Sequence, residues 1–268
     1  MSKIRFHWMQ NDTNISIDSL KKLSKELDEA GYYSFLLPFH SLGSDQLLKA
    51  AHVLDLKQKI KYMIAMRPYH VSPQYFRMLI LAFNEIQPGR LIINIIAGDG
   101  RSDEPNQLDY LGNSENLINV EQRKEYVRKL LSIYNEDGAM KYYLGETIIS
   151  GFSDYSVETA KIFEYTTLCM YDEYFNSIDR LKDCKRRMVS AKVYLRDTEE
   201  EAEEIYSLAG DNTRLPGYTF YGTEDTALKK IQHAIDNGIT DFLIGSCDFD
   251  KEKHRIHNFI KNIKHNFI

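Results

Sequence analysis

Cysteine is scarce in this chain. Its three cysteines, Cys169, Cys184 and Cys247, stand far apart, with neither the pairing of a disulfide framework nor the spacing of a zinc site. The opening run MSKIRFHWMQ lacks a signal-peptide profile, so the thiols read as reduced and the protein as cytoplasmic. No apolar run approaches the roughly 20 residues of a membrane span. A basic surplus is missing too: the formal net charge is -5, which argues against a nucleic-acid binder. The one short basic cluster, KDCKRR at 182–187, is interrupted by acid and reads as a solvated helix end. Nor does any G-x-G-x-x-G follow a strand-like run, so a nicotinamide nucleotide has no fold of its own here.

What is present suits one large α/β unit. At 268 residues and 43% hydrophobic, the chain has the length and core material of a single (β/α)8 TIM barrel. The clearest stretch is 60–99, IKYMIAMRPYHVSPQYFRMLILAFNEIQPGRLIINIIAGD. Apolar, β-branched runs at 60–66 and 91–96 flank a helical periodicity at 72–86, a strand–helix–strand unit with buried, parallel strands.

Further strands are expected at 4–10, 33–37, 146–150, 166–170, 190–195 and 241–245. Helices are expected at 17–30, 45–54, 120–134, 155–163, 174–184, 198–208, 223–237 and 251–263. Two connections remain, a long polar one at 101–116 that suits a lid and a Gly/Pro/Asn-containing one at 211–221. The strand–helix alternation without linker composition predicts one barrel over residues 4–265, in a single domain spanning 1–268.

In such barrels ligands sit at the carboxyl ends of the strands. Asn94 and Ala65-Met66 fall at adjacent strand ends, where an amide beside a small residue offers a donor and an acceptor; a buried Asn satisfied by backbone is the plainer alternative. Gly151-Phe152-Ser153-Asp154 precedes a helix, so Ser153 reads either as an ordinary N-cap or as part of a phosphate site. Arg67 either holds an anion or pairs with Asp99 or Glu85. His7, His40 and His70 lie near strand ends, where a lone histidine is usually structural, and no His or Cys spacing points to a metal.

These stretches also resemble a known family. AMRPYHVSP followed by PGRLIINIIAGD is similar to the luciferase-like flavin monooxygenases, nearest to the alkanesulfonate monooxygenase branch. LDEAGYYSFLLP, ISGFSDYSVETA, LRDTEEEAEE and YGTEDTALKKIQHAIDNGITDFLIG match further family segments in order. The resemblance implies an FMN-dependent, two-component monooxygenase using reduced FMN and O2 on a small organic substrate, with a separate flavin reductase and a homodimer or a related partner subunit. Reduction with FMN or coenzyme F420, or a non-catalytic flavin-binding subunit, are its alternatives. It implies flavin contacts at Ala65, Met66, Asn94, Ala97, Gly151 and Ser153, an apolar floor of Met63, Met66 and Ile96, and substrate contacts at Arg67 and Cys247.

The chain departs from the branch at informative places. Ser190-Ala191-Lys192 stands where the branch has Arg-x-His, Ser246-Cys247-Asp248-Phe249 where it has Gly-Tyr-Pro-His, and Gly43 where it has a cysteine. His40 and Lys192 are left as the candidates for acid–base or anion-stabilising roles. The sulfonate-cleaving set is absent.

Overall fold

The computed structural model describes residues 3–10, 12, 14–39, 44–53, 57–96, 120–151, 153–170, 175–176, 178–210, 219–245 and 253–267. The strands are β1 (Arg5–Met9), β2 (Ser34–Leu37), β3 (Lys61–Met66), β4 (Leu91–Ile95), β5 (Thr147–Ser150), β6 (Thr166–Met170), β7 (Arg186–Leu195), β8 (Thr219–Gly222) and β9 (Asp241–Gly245). Between and after them come α1 (Ile17–Ala30), α2 (Gln46–Val53), α3 (Pro73–Ile86), α4 (Val120–Glu136), α5 (Gly138–Tyr143) and α6 (Asp154–Phe163). The second half adds α7 (Ile178–Leu181), α8 (Glu199–Gly210), α9 (Glu224–Asp236) and α10 (Lys253–Ile263).

Every strand pairing is parallel. β1 to β7 follow one another around the sheet, β7 pairs with β9, and β9 pairs with β1. Eight strands therefore close into a barrel, as the alternation of elements predicts. Followed once around, the register returns to β1 displaced by roughly eight residues, the stagger of a TIM barrel. β8 is additional and pairs with the last residues of β7, Lys192 to Leu195.

Alternation along each strand sorts the core into two parts. Leu36, Met63, Ala65, Ile92, Ile148, Leu168, Met188 and Leu243 fill the barrel interior. Phe6, Trp8, Phe35, Tyr62, Ile64, Ile93, Ile149, Val189 and Phe242 point outward into the helix layer. Because both faces are buried, strands such as LIINI are almost wholly apolar, which makes them legible in the sequence.

Local sequence fixes the helix ends. Ser16, Ser72, Ser153 and Thr223 each cap a helix N-terminus with the side-chain oxygen, and Gly31, at φ +84°, ends α1 in the left-handed region. The PGR motif before β4 serves the scaffold. Its Arg90 donates to the carbonyls of Gln58 and Ile60, at 2.7 Å each, and so fixes the approach to β3.

Two expectations are corrected. The segment read as a connection at 211–221 ends in β8, a strand too short to show a periodicity. The basic cluster at 182–187 is only partly a helix end. Arg186 and Arg187 begin β7, and Arg186 Nε donates to Asp241 Oδ2 at 2.8 Å, an acid 55 residues away that no local pattern reveals. For the helix expected at 174–184, the described residues show α7 at its centre.

Asp241 is the hub of a polar plug at the amino-terminal end of the barrel. It is fully buried and takes hydrogen bonds from Arg5 at 2.6 Å, Arg186, His7 at 3.0 Å and Thr240 at 2.6 Å. Ser34 Oγ lies 2.6 Å from His7 Nδ1. These partners assign a neutral imidazole that donates from Nε2 to Asp241 and accepts from Ser34. Beside it, Glu146 accepts from Lys61 and Tyr33, and pairs more loosely with Arg5 at 3.5 Å.

Burial alone would raise the Asp241 carboxyl, but the His7 hydrogen bond and the charges of Arg5 and Arg186 hold it well below the usual carboxylate range. Asp241→Asn would strand two half-buried guanidinium groups and should cost about 3–5 kcal/mol in urea unfolding. A loss below about 1 kcal/mol would mean that the plug does not hold the barrel shut.

The titrations share one direction. Asp241 and Glu146 have lowered pKa values, so their contribution is full above the ordinary carboxylate range and fades as pH falls toward their folded values. Burial lowers His7, and burial with nearby cationic groups lowers His70 and His257 to about 4. The unfolded chain therefore takes up those protons first, beginning near pH 6.5. Urea midpoints should fall steadily from pH 7 to pH 4; a midpoint that rises over that interval would contradict these environments.

Candidate active site

The carboxyl ends of the strands gather the described candidates on one side of the barrel. Ala65 and Asn94 are register partners on β3 and β4, and Asn94 pairs with Ile148 on β5. Asn94 is buried, and its Oδ1 accepts a 2.6 Å hydrogen bond from Ser150 Oγ. A side chain on the next strand, rather than the backbone, satisfies this oxygen. Met66 is out of phase with Ala65, and its side chain packs against the helix-facing core. The expected floor is corrected accordingly: Met63 is inside the barrel and Ile96 packs against that interior, whereas the Met66 side chain points away from it.

After β5 the chain turns through three serines. Gly151 adopts φ +115°, where a Cβ would stand 2.8 Å from Ser156 Oγ, so only glycine fits without a shift. Ser156 Oγ donates to the Ser150 carbonyl at 3.3 Å, and Ser153 Oγ accepts from the Ser156 amide at 3.4 Å. Ser153 is thus the N-cap of α6, one of its two sequence readings. It is also exposed, so its hydroxyl remains reachable beside the positive end of the helix dipole.

That helix start borders a groove of about 560 Å³ against α4. Lys124 and Arg128 line it with Ser153 and Tyr155, and so do the acids Glu121, Glu125, Asp154 and Glu158. Lys124 bonds Glu121 at 2.7 Å and Arg128 bonds Glu125 at 3.2 Å. Arg180 engages Asp154. Burial pushes the Tyr155 hydroxyl up to about 12. Lys124 and Arg128 escaped the sequence reading, although their spacing of four on one helix face was the signal that could have found them.

On the β3 side, the Arg67 guanidinium lies 5.3 Å from the Phe39 ring centre, and the His70 ring lies 5.0 Å from the same ring. With burial and the charges of Arg67 and Arg123 holding it near 4, His70 is neutral at physiological pH. Lys192 is near the end of β7, opposite Gly245 of β9 and Thr219 of β8. His40, Ala97, Cys247 and the 101–116 connection lie outside the described residues. Among the described residues, no group of three or more His, Cys, Asp or Glu side chains is placed to hold a metal ion, and no helix is long and apolar enough to cross a membrane.

No family model matches the chain. Solved structures share its architecture over nearly its whole length. The oxygenating constituent of 3,6-diketocamphane monooxygenase from Pseudomonas putida, in complex with FMN, is 15% identical with a TM-score of 0.75, over 99% of this chain and 98% of that one. The coenzyme F420-dependent tetrahydromethanopterin reductase from Methanopyrus kandleri is 14% identical with a TM-score of 0.73, over 100% of both chains. EDTA monooxygenase from Chelativorans sp. BNC1 is 11% identical with a TM-score of 0.75, over 98% and 94%. The likeness is one of fold.

Ser150→Ala would leave the buried Asn94 Oδ1 without its donor. It should cost about 1–3 kcal/mol of stability, read by urea unfolding, whereas Ser150→Thr should retain most of it. No loss in the alanine variant would mean that Asn94 is satisfied elsewhere.

Proposed function

We propose that this chain is a luciferase-like, flavin-dependent monooxygenase that uses reduced FMN and O2 on a small organic substrate. The observation that carries the reading is the pairing, at the carboxyl end of the barrel, of a buried amide on β4 with a serine-capped helix start after β5. Three solved structures of the same architecture bear on it, two of them oxygenases and one of these in complex with FMN.

The residues fit FMN in kind. The phosphate would be held by the Ser153 hydroxyl, the first-turn amides of α6 and the side chains of Lys124 and Arg128. Gly151 allows the chain to turn closely beneath it. Asn94 and Ala65 would meet the polar edge of the flavin ring, with Ala97 completing that contact. The four acids in the groove oppose a dianion, so the grip is weaker than the two cations alone would give.

Reduced FMN, when bound, supplies the electrons that activate O2. The protein's part is to orient the ring and keep water out, for which Met63, Ile96 and the interior around them give an apolar floor. His40 and Lys192 are the proton-handling or anion-stabilising candidates, and Arg67 and Cys247 the further substrate contacts. A separate reductase would deliver the reduced flavin, since the sequence has no second dinucleotide fold. Lys192 in place of an Arg-x-His keeps one cation on β7, but sulfonate cleavage is not part of the proposal.

The test is a titration with FMN, reduced FMN and F420, followed by mixing the reduced FMN complex with O2 in a stopped-flow spectrometer. Reoxidation distinctly slower than that of free reduced FMN is expected. Ser153→Ala should weaken FMN roughly ten- to a hundredfold, the equivalent of about 1.5–3 kcal/mol. Preference for F420 would favour the reductase reading, which the Methanopyrus kandleri enzyme of the same architecture keeps open. Tight flavin binding without turnover would mark a non-catalytic subunit, and no flavin binding would end the reading.

A homodimer, or a pair with a related subunit, belongs to the same proposal. Tyr75, Met78 and Ile86 lie on one exposed face of α3, with Leu48 exposed on α2 nearby in sequence order. Met78→Glu should shift the mass by light scattering from dimer to monomer at micromolar concentration; an unchanged mass would move the interface elsewhere.

A further inference from the structure

Four cationic side chains among the described residues point into the barrel by strand alternation: Arg5, Lys61, Arg186 and Lys192. The first three meet carboxylates in the plug, Arg5 and Arg186 on Asp241 and Lys61 on Glu146. Lys192 is different. It is half-buried and makes no ion pair or hydrogen bond among the described residues. The face it shares on β7 runs upward from Arg186 in the plug through Met188 in the apolar interior to Ser190, whose hydroxyl contacts Met9 Sδ at 3.9 Å. Lys192 therefore stands at the mouth, above Ser190 and the apolar interior beneath it.

The mouth has two chemically distinct arcs. Asn94 and Ser150 make β4 and β5 polar. From β9 through β1 to β2 the surface is apolar: Leu243, Met9 and Leu36 belong to or pack against the interior cluster, as does Phe39 after β2, whose ring also meets the Arg67 guanidinium at 5.3 Å. Gly245 contributes no side chain on β9 because a Cβ there would stand 2.7 Å from Met9 Cε. Lys192, on β7, is at the edge of this apolar arc and across the barrel from the amide. Holding an ammonium half out of water without a counter-charge costs stability unless a ligand provides one.

We propose that Lys192 anchors the anionic head of an amphipathic substrate, such as a carboxylate, whose apolar body lies along Leu243, Met9 and Phe39. This names the substrate class of the site proposed above and rests on that reading for the reaction; the binding itself needs no flavin. An apolar body with a single negative end satisfies both features at once, whereas a neutral hydrocarbon leaves the ammonium without a partner and a small dianion leaves the apolar arc wet.

The experiment is calorimetric titration of the flavin-free protein with octanoate and, separately, with 1-octanol. Wild type should bind octanoate at least tenfold more tightly than octanol. Lys192→Met, close in length and uncharged, should lose tenfold or more of the octanoate affinity while binding octanol unchanged, and Lys192→Arg should recover most of it. In wild type labelled by reductive ¹³C-methylation, the Lys192 resonance should move with octanoate and stay with octanol, a readout that survives if a variant does not fold. Equal octanoate affinity in wild type and Lys192→Met, no octanoate binding to wild type, or a stationary Lys192 resonance would each overturn the proposal. Because no flavin is present, failure here is separate from failure of the FMN titration.

Discussion

Asp241 keeps its negative charge with no exposure to water, and it does so only because partners from two neighbouring strands reach it at once. Arg5 is its direct register partner on β1, and Arg186 stands on β7, two residues before its partner Met188. These are the strands on either side of β9, so one carboxylate clasps the seam at which the barrel closes. A slip of β1 by one residue would turn Arg5 to the helix layer, put Ile4 or Phe6 in its place and leave the carboxylate short of a cation. A buried ion pair is weak evidence for net stability but good evidence for a pinned register, and here the register is what needs pinning. Glu146, with Lys61, Tyr33 and Arg5, extends the same clasp across the barrel floor.

The plug also decides where chemistry can occur. It fills the amino-terminal opening with paired charges, the apolar side chains of Met63, Ile92, Ile148, Met188 and Leu243 close the middle of the barrel, and only the carboxyl end is left for a ligand. Along β7 alone the chain passes within seven residues from a paired cation to an apolar side chain, a hydroxyl and a cation with no partner among the described residues. One strand thus carries a structural end and a chemical end. The same holds for β4 and its approach, where Arg90 serves the scaffold and Asn94 the mouth.

How much of this was legible depends on whether the signal was local. Strands buried on both faces announce themselves as apolar runs, so 166–170 and 241–245 fell where the residues put them and the run at 91–96 was one residue longer than the strand, and serine or threonine caps with glycine stops bounded the helices. Partners across the barrel leave no local trace. The basic residues at 186–187 looked solvated because Asp241 lies 55 residues on, and Lys124 and Arg128 looked like an ordinary helix surface because the groove they line is completed by another helix. Met66 departs from expectation for a simpler reason: a place at a strand end does not give a direction, and strand alternation turns Ala65 inward and Met66 to the helix layer. For Ser153 the sequence offered two roles, and the structure shows the cap in an exposed position that does not remove the other.

The clasp around Asp241 has a consequence for how the protein is made. Arg5 and Asp241 are separated by 236 positions, and β1 has β9 as its second neighbour. At the usual ~5–20 residues per second of synthesis, the first strand leaves the ribosome on the order of 10–50 s before the strand that completes its pairing. Over that interval one edge of a hydrophobic, parallel strand is open, and the arginine that will meet Asp241 has no acid to meet. A nascent chain of this design therefore presents an open strand edge to association until β9 has emerged, and whatever shields β1 during that interval protects the barrel before its own closure can.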